Sequence, residues 1–276
     1  MEDAGVHTAT VRSAAVPAAD LKRTLYRAAR SARDPKRFVD TQRIRSEFVA
    51  RFLDGDRAAL RRYERELQES ALLEHLLEAG REHRRRLGGD ASGYSLGAIG
   101  YNEGTYLYAV LRELRPRVAV ETGVANGFST AFLLQALHAN GDGHLHSIDL
   151  PREVGRDYEP GTFHEGEGRA GIPPGSEPGW LIPDHLRDRW TLILGRSQDE
   201  LPPLLDRVAA IDFFMHDSEH SFDCMWFEFN AAWPHLPPEG ILVSDDVNST
   251  DAFPRFAHEQ SRKPLRLARG MALLTK

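Results

Sequence analysis

The alternation of apolar runs and helix-periodic segments predicts the fold of residues 97–276. Segments of strand length and strand-like pattern occur five times, at 117–122, 144–149, 190–194, 211–216 and 240–245. Segments with helical periodicity lie before, between or after these runs, at 105–114, 127–139, 198–207, 222–236 and 251–262. Residues 264–276 form two short apolar runs joined at Arg269-Gly270, which is typical of a β-hairpin. This order predicts an α/β fold, with a doubly wound, Rossmann-like, mostly parallel seven-stranded sheet that ends in an antiparallel hairpin.

The first third of the chain has a different pattern. Residues 1–17 are rich in alanine and show no apolar periodicity, so we predict a disordered N-terminus. Helical periodicity then predicts an N-terminal helical extension over residues 18–96, with helices at 19–33, 40–53 and 56–86. Leucines form an apolar stripe along the third of these helices. We therefore expect the extension to act as a cap on the core or to form a homo-oligomer with a second copy.

Composition and charge limit the classes of protein. The chain has 276 residues, 41% of them hydrophobic, which is enough for one large core. Its only cysteine, Cys224, excludes a disulfide framework and a cysteine-rich zinc site. The absence of a long apolar run and of a signal-peptide pattern predicts a soluble, cytoplasmic protein with no membrane partner. The basic excess of the first 90 residues is interleaved with acids at helical spacing, so no nucleic-acid partner is predicted.

A glycine turn follows the first predicted core strand. The sequence RVAVETGVANGFS, residues 117–129, has the spacing Glu121-x-Gly123-x-x-x-Gly127-x-Ser129. It lacks the third glycine of a dinucleotide site, which makes NAD less favoured than another nucleotide-type ligand. The next strand ends in Asp149, and a carboxylate there can accept both hydroxyls of a ribose. An ordinary tight turn between a strand and a helix is the alternative interpretation.

Carboxylates follow two later strands. Asp217 comes directly after the strand at 211–216, and Asp245 and Asp246 lie at the end of the strand at 240–245. The carboxyl ends of parallel strands meet at one edge of a sheet, where ligands bind in open α/β folds. Three carboxylates there would suit Mg²⁺, with Mn²⁺ or Ca²⁺ as alternatives. Asp217 could instead cap the helix that begins near Ser221.

Two histidines lie close to Asp217. His220 is three residues after it, in the turn before a helix, and its ordinary pKa suits a general base near neutral pH. His216 points to the opposite side of an alternating strand, so we favour a structural role for it and a catalytic role for His220.

Residues 151–189 form a long insertion rich in Gly and Pro, which we predict to be a mobile lid, with a disordered loop as the alternative.

These residues resemble a family. The chain from residue 97 to 276 is similar to class I S-adenosylmethionine (SAM)-dependent methyltransferases, specifically the metal-dependent O-methyltransferases that include catechol and macrolide-sugar enzymes. The resemblance rests on the segment at 100–129, on Asp149, and on GRSQDELPPLL at 195–205. It implies SAM as cofactor, with the ribose at Asp149, the adenine near the start of the 198–207 helix and the methionine end at the glycine turn. The implied cofactor-binding residues are Tyr101, Asn102, Glu121, Gly123, Ser129, Asp149, Ser197, Gln198 and Asp217.

The resemblance also implies a reaction. Asp217, Asp245 and Asp246 match the metal positions of the family, and His220 stands where macrolide-sugar enzymes have a histidine base. This implies a SAM- and divalent-metal-dependent O-methyltransferase that acts on a hydroxyl of a small molecule, a sugar-bearing or phenolic natural product. Departures from the family are Asp149 in place of a glutamate, the long insertion and the N-terminal helices. A metal-independent N- or O-methyltransferase and a non-catalytic SAM-binding assembly or regulatory protein remain as alternatives.

Overall fold

The computed structural model describes residues 35–87, 99–153, 156 and 171–276. The predicted disordered N-terminus, the predicted helix at 19–33 and most of the first half of the insertion lie outside the described residues. The chain divides into two compact units, Met1–Arg43 and Ile44–Lys276. In the first unit only residues 35–43 are described, and they are helical.

Three helices precede the sheet: α1 (Pro35–Phe52), α2 (Arg57–Glu69) and α3 (Leu72–Leu87). The Asp56 carboxylate caps α2 by accepting hydrogen bonds from the amides of Ala58 and Ala59, at 2.7 and 3.1 Å. The prediction of a single helix at 56–86 is wrong, because the chain breaks at Ser70 and Ala71. The Ser70 hydroxyl donates to the Leu67 carbonyl at 2.9 Å, and Ala71 has a φ of 57°, outside the helical range.

The second unit has a core that runs from the N-terminal helices into the sheet. Apolar side chains of residues 44–76 share one buried cluster with α4 (Tyr101–Leu114) and α5 (Phe128–Asn140). At the edge of this contact, Glu66 accepts hydrogen bonds from the Tyr108 hydroxyl at 2.8 Å and from Arg112 Nε at 2.9 Å. The N-terminal helices from residue 44 onward therefore pack on their own domain.

The sheet has seven strands in the order β3-β2-β1-β4-β5-β7-β6. The strands are β1 (Val118–Thr122), β2 (His144–Asp149), β3 (Trp190–Leu194), β4 (Phe213–His216), β5 (Ile241–Ser244), β6 (Leu265–Arg266) and β7 (Ala272–Thr275). Strands β1 to β5 are parallel, whereas β7 is antiparallel to β5 and β6 is antiparallel to β7. The predicted doubly wound sheet with a terminal antiparallel hairpin is confirmed.

Helices cover both faces of this sheet. Residues that alternate along each strand face opposite layers: Ala119 and Phe213 join the cluster of α4 and α5, whereas Val120 and Phe214 join the opposite cluster. The opposite layer is built by α6 (Ser197–Val208), α7 (Phe222–Ala232) and α8 (Ala252–Glu259). Short 3₁₀ turns occur at Asp184–Arg189 and Trp233–His235.

The strand order reverses between β1 and β4, which pair in parallel with Thr122 opposite His216. The next residues along these strands, Gly123 and Asp217, therefore leave the sheet side by side. In open α/β sheets the crevice at this reversal is where ligands bind.

Candidate active site

The loop after β1 makes a close contact with the loop after β4. Gly123 has a φ of +86°, and a Cβ built there would lie 1.9 Å from the Asp217 carbonyl oxygen. The Asp217 amide in turn donates to the Thr122 carbonyl at 2.8 Å. Only glycine fits at position 123, because any side chain would separate the two loops.

Asp149 joins the end of β2 to the same loop. Its Oδ1 accepts hydrogen bonds from the amides of Val124 and Ala125, at 2.7 and 3.1 Å, and the residue is buried. The loop is thus held against the ends of β2 and β4 together. The predicted ribose contact of Asp149 stays a prediction, but the residue lies at the loop as that prediction requires.

Glu121 lies inside the fold. Its carboxylate is fully buried and accepts hydrogen bonds from Ser129 Oγ at 3.0 Å, Thr130 Oγ1 at 2.8 Å and Ser147 Oγ at 2.9 Å. Burial raises the pKa of Glu121 to about 7, and the three hydroxyls only partly offset this rise. These contacts fix the start of α5 against β1 and β2. The predicted roles of Glu121 and Ser129, at the methionine end of the cofactor, stay predictions.

The carboxylates after β4 and β5 lie in a concentrated negative environment. Burial, followed by the charges of Asp245, Glu121, Asp246 and Asp149, raises the pKa of Asp217 well above its usual range. Burial also raises the pKa of Asp245 to about 6, with smaller contributions from the charges of Asp246 and Glu103. Such uncompensated carboxylates have the oxygen chemistry that a hard divalent cation prefers.

A preassembled metal cage is absent from the described part of the chain, where no group of three or more His, Cys, Asp or Glu side chains is arranged to hold an ion. Asp246 is half exposed, and it follows Asp245 with a φ of 46°. The carboxylate oxygens of Asp217, Asp245 and Asp246 suit a hard cation chemically, but these three side chains do not converge into a ligand group among the described residues.

His220 lies between two of these carboxylates. Its Nε2 is 3.8 Å from Asp217 Oδ1, and its Nδ1 is 3.7 Å from Asp246 Oδ2. Burial, followed by the charge of His216, lowers the pKa of His220. His216 is fully buried, and its Nδ1 lies 2.6 Å from Glu228 Oε2. The rings of the two histidines pack against each other, but His216 is the one bonded to Glu228, whereas His220 lies beside the aspartates.

Comparison with known proteins adds a family to this geometry. Residues 120–247 match a family model described as a methyltransferase domain. This region is therefore similar to methyltransferase domains. It contains β2, β3, β4 and β5 and the last three residues of β1, together with Asp149, Asp217 and Asp245. The match supports the predicted enzyme class, a methyltransferase.

Solved structures give more distant likenesses. The O-methyltransferase NovP is 17% identical, with a TM-score of 0.49, and the match covers 64% of this chain and 81% of NovP. TomG from Streptomyces achromogenes, an O-methyltransferase involved in tomaymycin synthesis, is 21% identical, with a TM-score of 0.48 and coverage of 77% and 96%. The Podospora anserina methyltransferase PaMTH1 is 14% identical, with a TM-score of 0.48 and coverage of 74% and 86%. No curated protein matches the chain.

The predicted adenine-side residues lie at the start of α6. Ser197 is buried, and its Oγ lies 3.8 Å from Cys224 Sγ, so its hydroxyl faces the interior of the methyltransferase domain. Gln198 is partly exposed beside it. Tyr101 and Asn102 form the first turn of α4, with Asn102 exposed. The cofactor contacts of these four residues stay predictions.

Sequence reasoning missed one acid at this edge. Glu103, in the first turn of α4, lies close enough to Asp245 to raise its pKa. Its only sequence signal was its position in the family-like segment at 100–129. Its position brings α4 to the acidic side of the site.

The second half of the insertion is fixed to the glycine loop. The amides of Gly179 and Leu181 donate to the carbonyls of Ala125 and Asn126, at 2.8 and 3.1 Å. The Asn126 side chain accepts from the Trp180 indole at 2.6 Å and donates to the Gly171 carbonyl at 3.0 Å. Residues 171–182 therefore brace the loop. A lid formed by residues 157–170 falls outside the described residues.

Among the described helices, none combines the length and the apolar character that a membrane span requires.

Proposed function

We propose that this protein transfers a methyl group from SAM to a hydroxyl oxygen of a small molecule, with help from a divalent cation bound by Asp217, Asp245 and Asp246. The observation that carries the proposal is the contact of Gly123 with the Asp217 backbone. Because the loop after β1 touches the loop after β4, a methyl donor bound by the first would lie beside an acceptor held by the second.

In this proposal the cofactor is bound at the glycine loop. The ribose hydroxyls would bind the Asp149 carboxylate, whose Oδ1 is already oriented by two loop amides. Tyr101, Asn102, Gly123 and Ser129 would lie toward the methionine end, and Ser197 and Gln198 toward the adenine. SAM supplies a methyl group on a positively charged sulfonium, and the acidic edge of the sheet suits that charge.

The acceptor is activated by the histidine and the carboxylates. With its lowered pKa, His220 is neutral at pH 7 and can take the proton of an acceptor hydroxyl on a ring nitrogen. A bound Mg²⁺, Mn²⁺ or Ca²⁺ supplies positive charge that favours the deprotonated oxygen. Holding the acceptor oxygen in line with the methyl group contributes about 7–11 kcal/mol where the attack geometry is maintained.

The acceptor class follows from the charge of the site and from the family resemblance. Asp217, Asp245, Asp246 and Glu103 would repel polyanionic substrates. The histidine at position 220 resembles the base of macrolide-sugar enzymes, so we propose a sugar-bearing or phenolic natural product. A cytoplasmic location and homo-oligomerisation through the N-terminal helices stay predictions.

A metal-independent methyltransferase is the second candidate. It is favoured by one observation, that the described residues contain no preassembled group of three metal-binding side chains. In this case His220 would act alone as the base, and Asp217 and Asp246 would orient its ring from 3.8 and 3.7 Å.

One experiment separates the candidates. Purified protein is treated with EDTA, dialysed, and incubated with SAM and a panel of sugar and catechol acceptors, with and without added Mg²⁺. Transfer that requires Mg²⁺ and is lost in Asp245→Asn supports the metal-dependent reaction, with Asp142→Asn, in an exposed loop, as the control. Transfer that resists EDTA supports the metal-independent reaction. SAM binding without transfer to any acceptor supports a non-catalytic binding protein.

A further inference from the structure

A fully buried carboxylate lies beneath the active-site edge and has no part in the proposed reaction. Glu228, on α7, has no exposed surface. A buried carboxylate is costly unless its oxygens are bound, and here both are bound. Burial acts to raise the pKa of Glu228, but the His216 ring and the surrounding hydroxyls hold it below its usual range.

Three hydrogen-bond partners of Glu228 belong to two neighbouring strand ends, and a fourth, Cys224 Sγ on the same helix, donates to Oε1 at 3.5 Å. Oε2 accepts from Thr122 Oγ1 at 2.5 Å and lies 2.6 Å from His216 Nδ1. Oε1 accepts from Ser218 Oγ at 2.7 Å. Thr122 is the last residue of β1, and His216 is the last residue of β4. One carboxylate therefore joins the two strands at the point where the sheet order reverses.

These partners flank the residues that meet in the site. Thr122 directly precedes Gly123, whereas His216 and Ser218 stand on either side of Asp217. A displacement of either loop would reach the other, because Gly123 leaves no free space against the Asp217 carbonyl. The ring of His216 also packs edge-on against that of His220, with centroids 5.4 Å apart and an interplanar angle of 86°.

We infer that Glu228 is a positioning residue, which holds the cofactor loop, Asp217 and His220 at their working separation through Thr122, His216 and Ser218. It touches none of the reacting groups and acts through these three side chains. Because a carboxylate acceptor at Nδ1 keeps a proton on that nitrogen, Glu228 also fixes the orientation of the His216 ring against which His220 packs. Displacements near 1 Å can reduce turnover on the order of a hundredfold, so the effect on the rate is expected to be large. The expected loss of turnover rests on the proposed function. The expected loosening of the two loops rests on the hydrogen bonds of Glu228 alone.

A purely structural role for Glu228 predicts a different outcome. In that case its loss would destabilise the fold without a specific effect on the site, as expected for a buried, hydrogen-bonded carboxylate. Glu66 provides the matched control, because it also accepts from a hydroxyl and a cation, those of Tyr108 and Arg112, in the contact between α2 and α4.

The test compares Glu228→Gln with Glu66→Gln in the full chain. We expect Glu228→Gln to lower kcat at least tenfold and to weaken S-adenosylhomocysteine binding severalfold by calorimetry, whereas Glu66→Gln leaves both within twofold. Hydrogen exchange without ligand should rise at residues 123–126 and 217–220 in Glu228→Gln only. The inference is overturned if a folded Glu228→Gln protein keeps the wild-type kcat, or if exchange at these two segments does not rise.

A second variant, Ser218→Ala, and two measurements that do not require activity complete the test. If Glu228→Gln does not fold, Ser218→Ala removes one of the three partners at a partly exposed position, and it must then lower kcat and raise exchange at 217–220, or the inference fails. If the wild-type protein transfers no methyl group, the proposed function fails, and hydrogen exchange and S-adenosylhomocysteine affinity still decide the role of Glu228.

Discussion

Asp245→Asn should make the metal-free protein more stable at neutral pH while abolishing its activity. The pKa of the Asp245 carboxyl is raised to about 6 from an ordinary 3.8 because burial and neighbouring acids disfavour its charge. A carboxyl with a raised pKa binds its proton more tightly in the folded state, so stability is lost as pH rises from the unfolded to the folded pKa. The asparagine carries no charge and escapes this cost.

The magnitude follows from the shift. The difference between 3.8 and about 6 corresponds to a cost of about 3 kcal/mol above pH 6, an upper value because solvent reaches part of the side chain. At pH 5 only part of the cost has developed, about 1.5 kcal/mol. The advantage of the variant should therefore roughly halve between pH 8 and pH 5.

Urea unfolding in EDTA at both pH values measures this difference, with Asp142→Asn as the control at an exposed position. Adding Mg²⁺ at pH 8 should stabilise the wild-type protein more than the variant, because a cation that binds only the folded state shifts the equilibrium toward it. The raised pKa of Asp245 would be refuted if Asp245→Asn were no more stable than wild type at pH 8. It would also be refuted if the difference in unfolding free energy between the two proteins did not change with pH.

Three other predictions concern the loop after β1. Gly123→Ala should abolish S-adenosylhomocysteine binding in calorimetry, because the new Cβ would lie 1.9 Å from the Asp217 carbonyl oxygen. Gly141 is the control, since it also has a positive φ but no heavy atom within 4 Å of a Cβ built there. Gly141→Ala should cost only about 1 kcal/mol of stability and keep binding. Ionisation of Glu121, whose pKa is raised to about 7, should by itself lower wild-type stability by about 3 kcal/mol between pH 4.5 and 7, in addition to the contribution of Asp245. Glu121→Gln should remove this component in pH-dependent denaturation, and an unchanged profile would contradict the raised pKa. Trp180→Phe removes the indole N–H that donates to Asn126 in the loop. Steady-state kinetics should show a KM for SAM raised severalfold with little change in kcat. A variant with the wild-type KM and kcat would show that this hydrogen bond does not support cofactor binding.

The sheet could be predicted because its signals are local. Most strands are short apolar segments and most crossovers are helix-periodic segments, although β2 contains polar residues and the β2–β3 crossover is the long insertion. Alternation of strands and helices has few solutions other than a parallel sheet. The acids at the carboxyl edge follow from the same strand ends, since Asp149, Asp217 and Asp245 each come directly after a buried strand or end one. These positions required no knowledge of side-chain contacts.

The polar interior could not be predicted in this way. Glu228 lies in an aromatic helix, and its partners at the strand ends, Thr122, His216 and Ser218, are 10 to 106 residues away along the chain. The same holds for the contact of Trp180 with Asn126, which spans 54 residues. Strand alternation predicts that Glu121 points inward, because it shares a face with buried Ala119. Its place in the glycine motif instead led to the prediction of a cofactor contact. The break at Ser70 and Ala71 depends on a local side-chain hydrogen bond that competes with the helix.

A crystal structure of the protein with S-adenosylhomocysteine and Mn²⁺ tests the central claim directly, because the anomalous signal of manganese locates the cation without ambiguity. The account predicts a manganese peak roughly 2 Å from oxygens of Asp217 and Asp245. The nucleoside should lie at Asp149, and its sulfur should face the cation across Gly123. S-adenosylhomocysteine at the loop, with no manganese at these aspartates, would contradict the account.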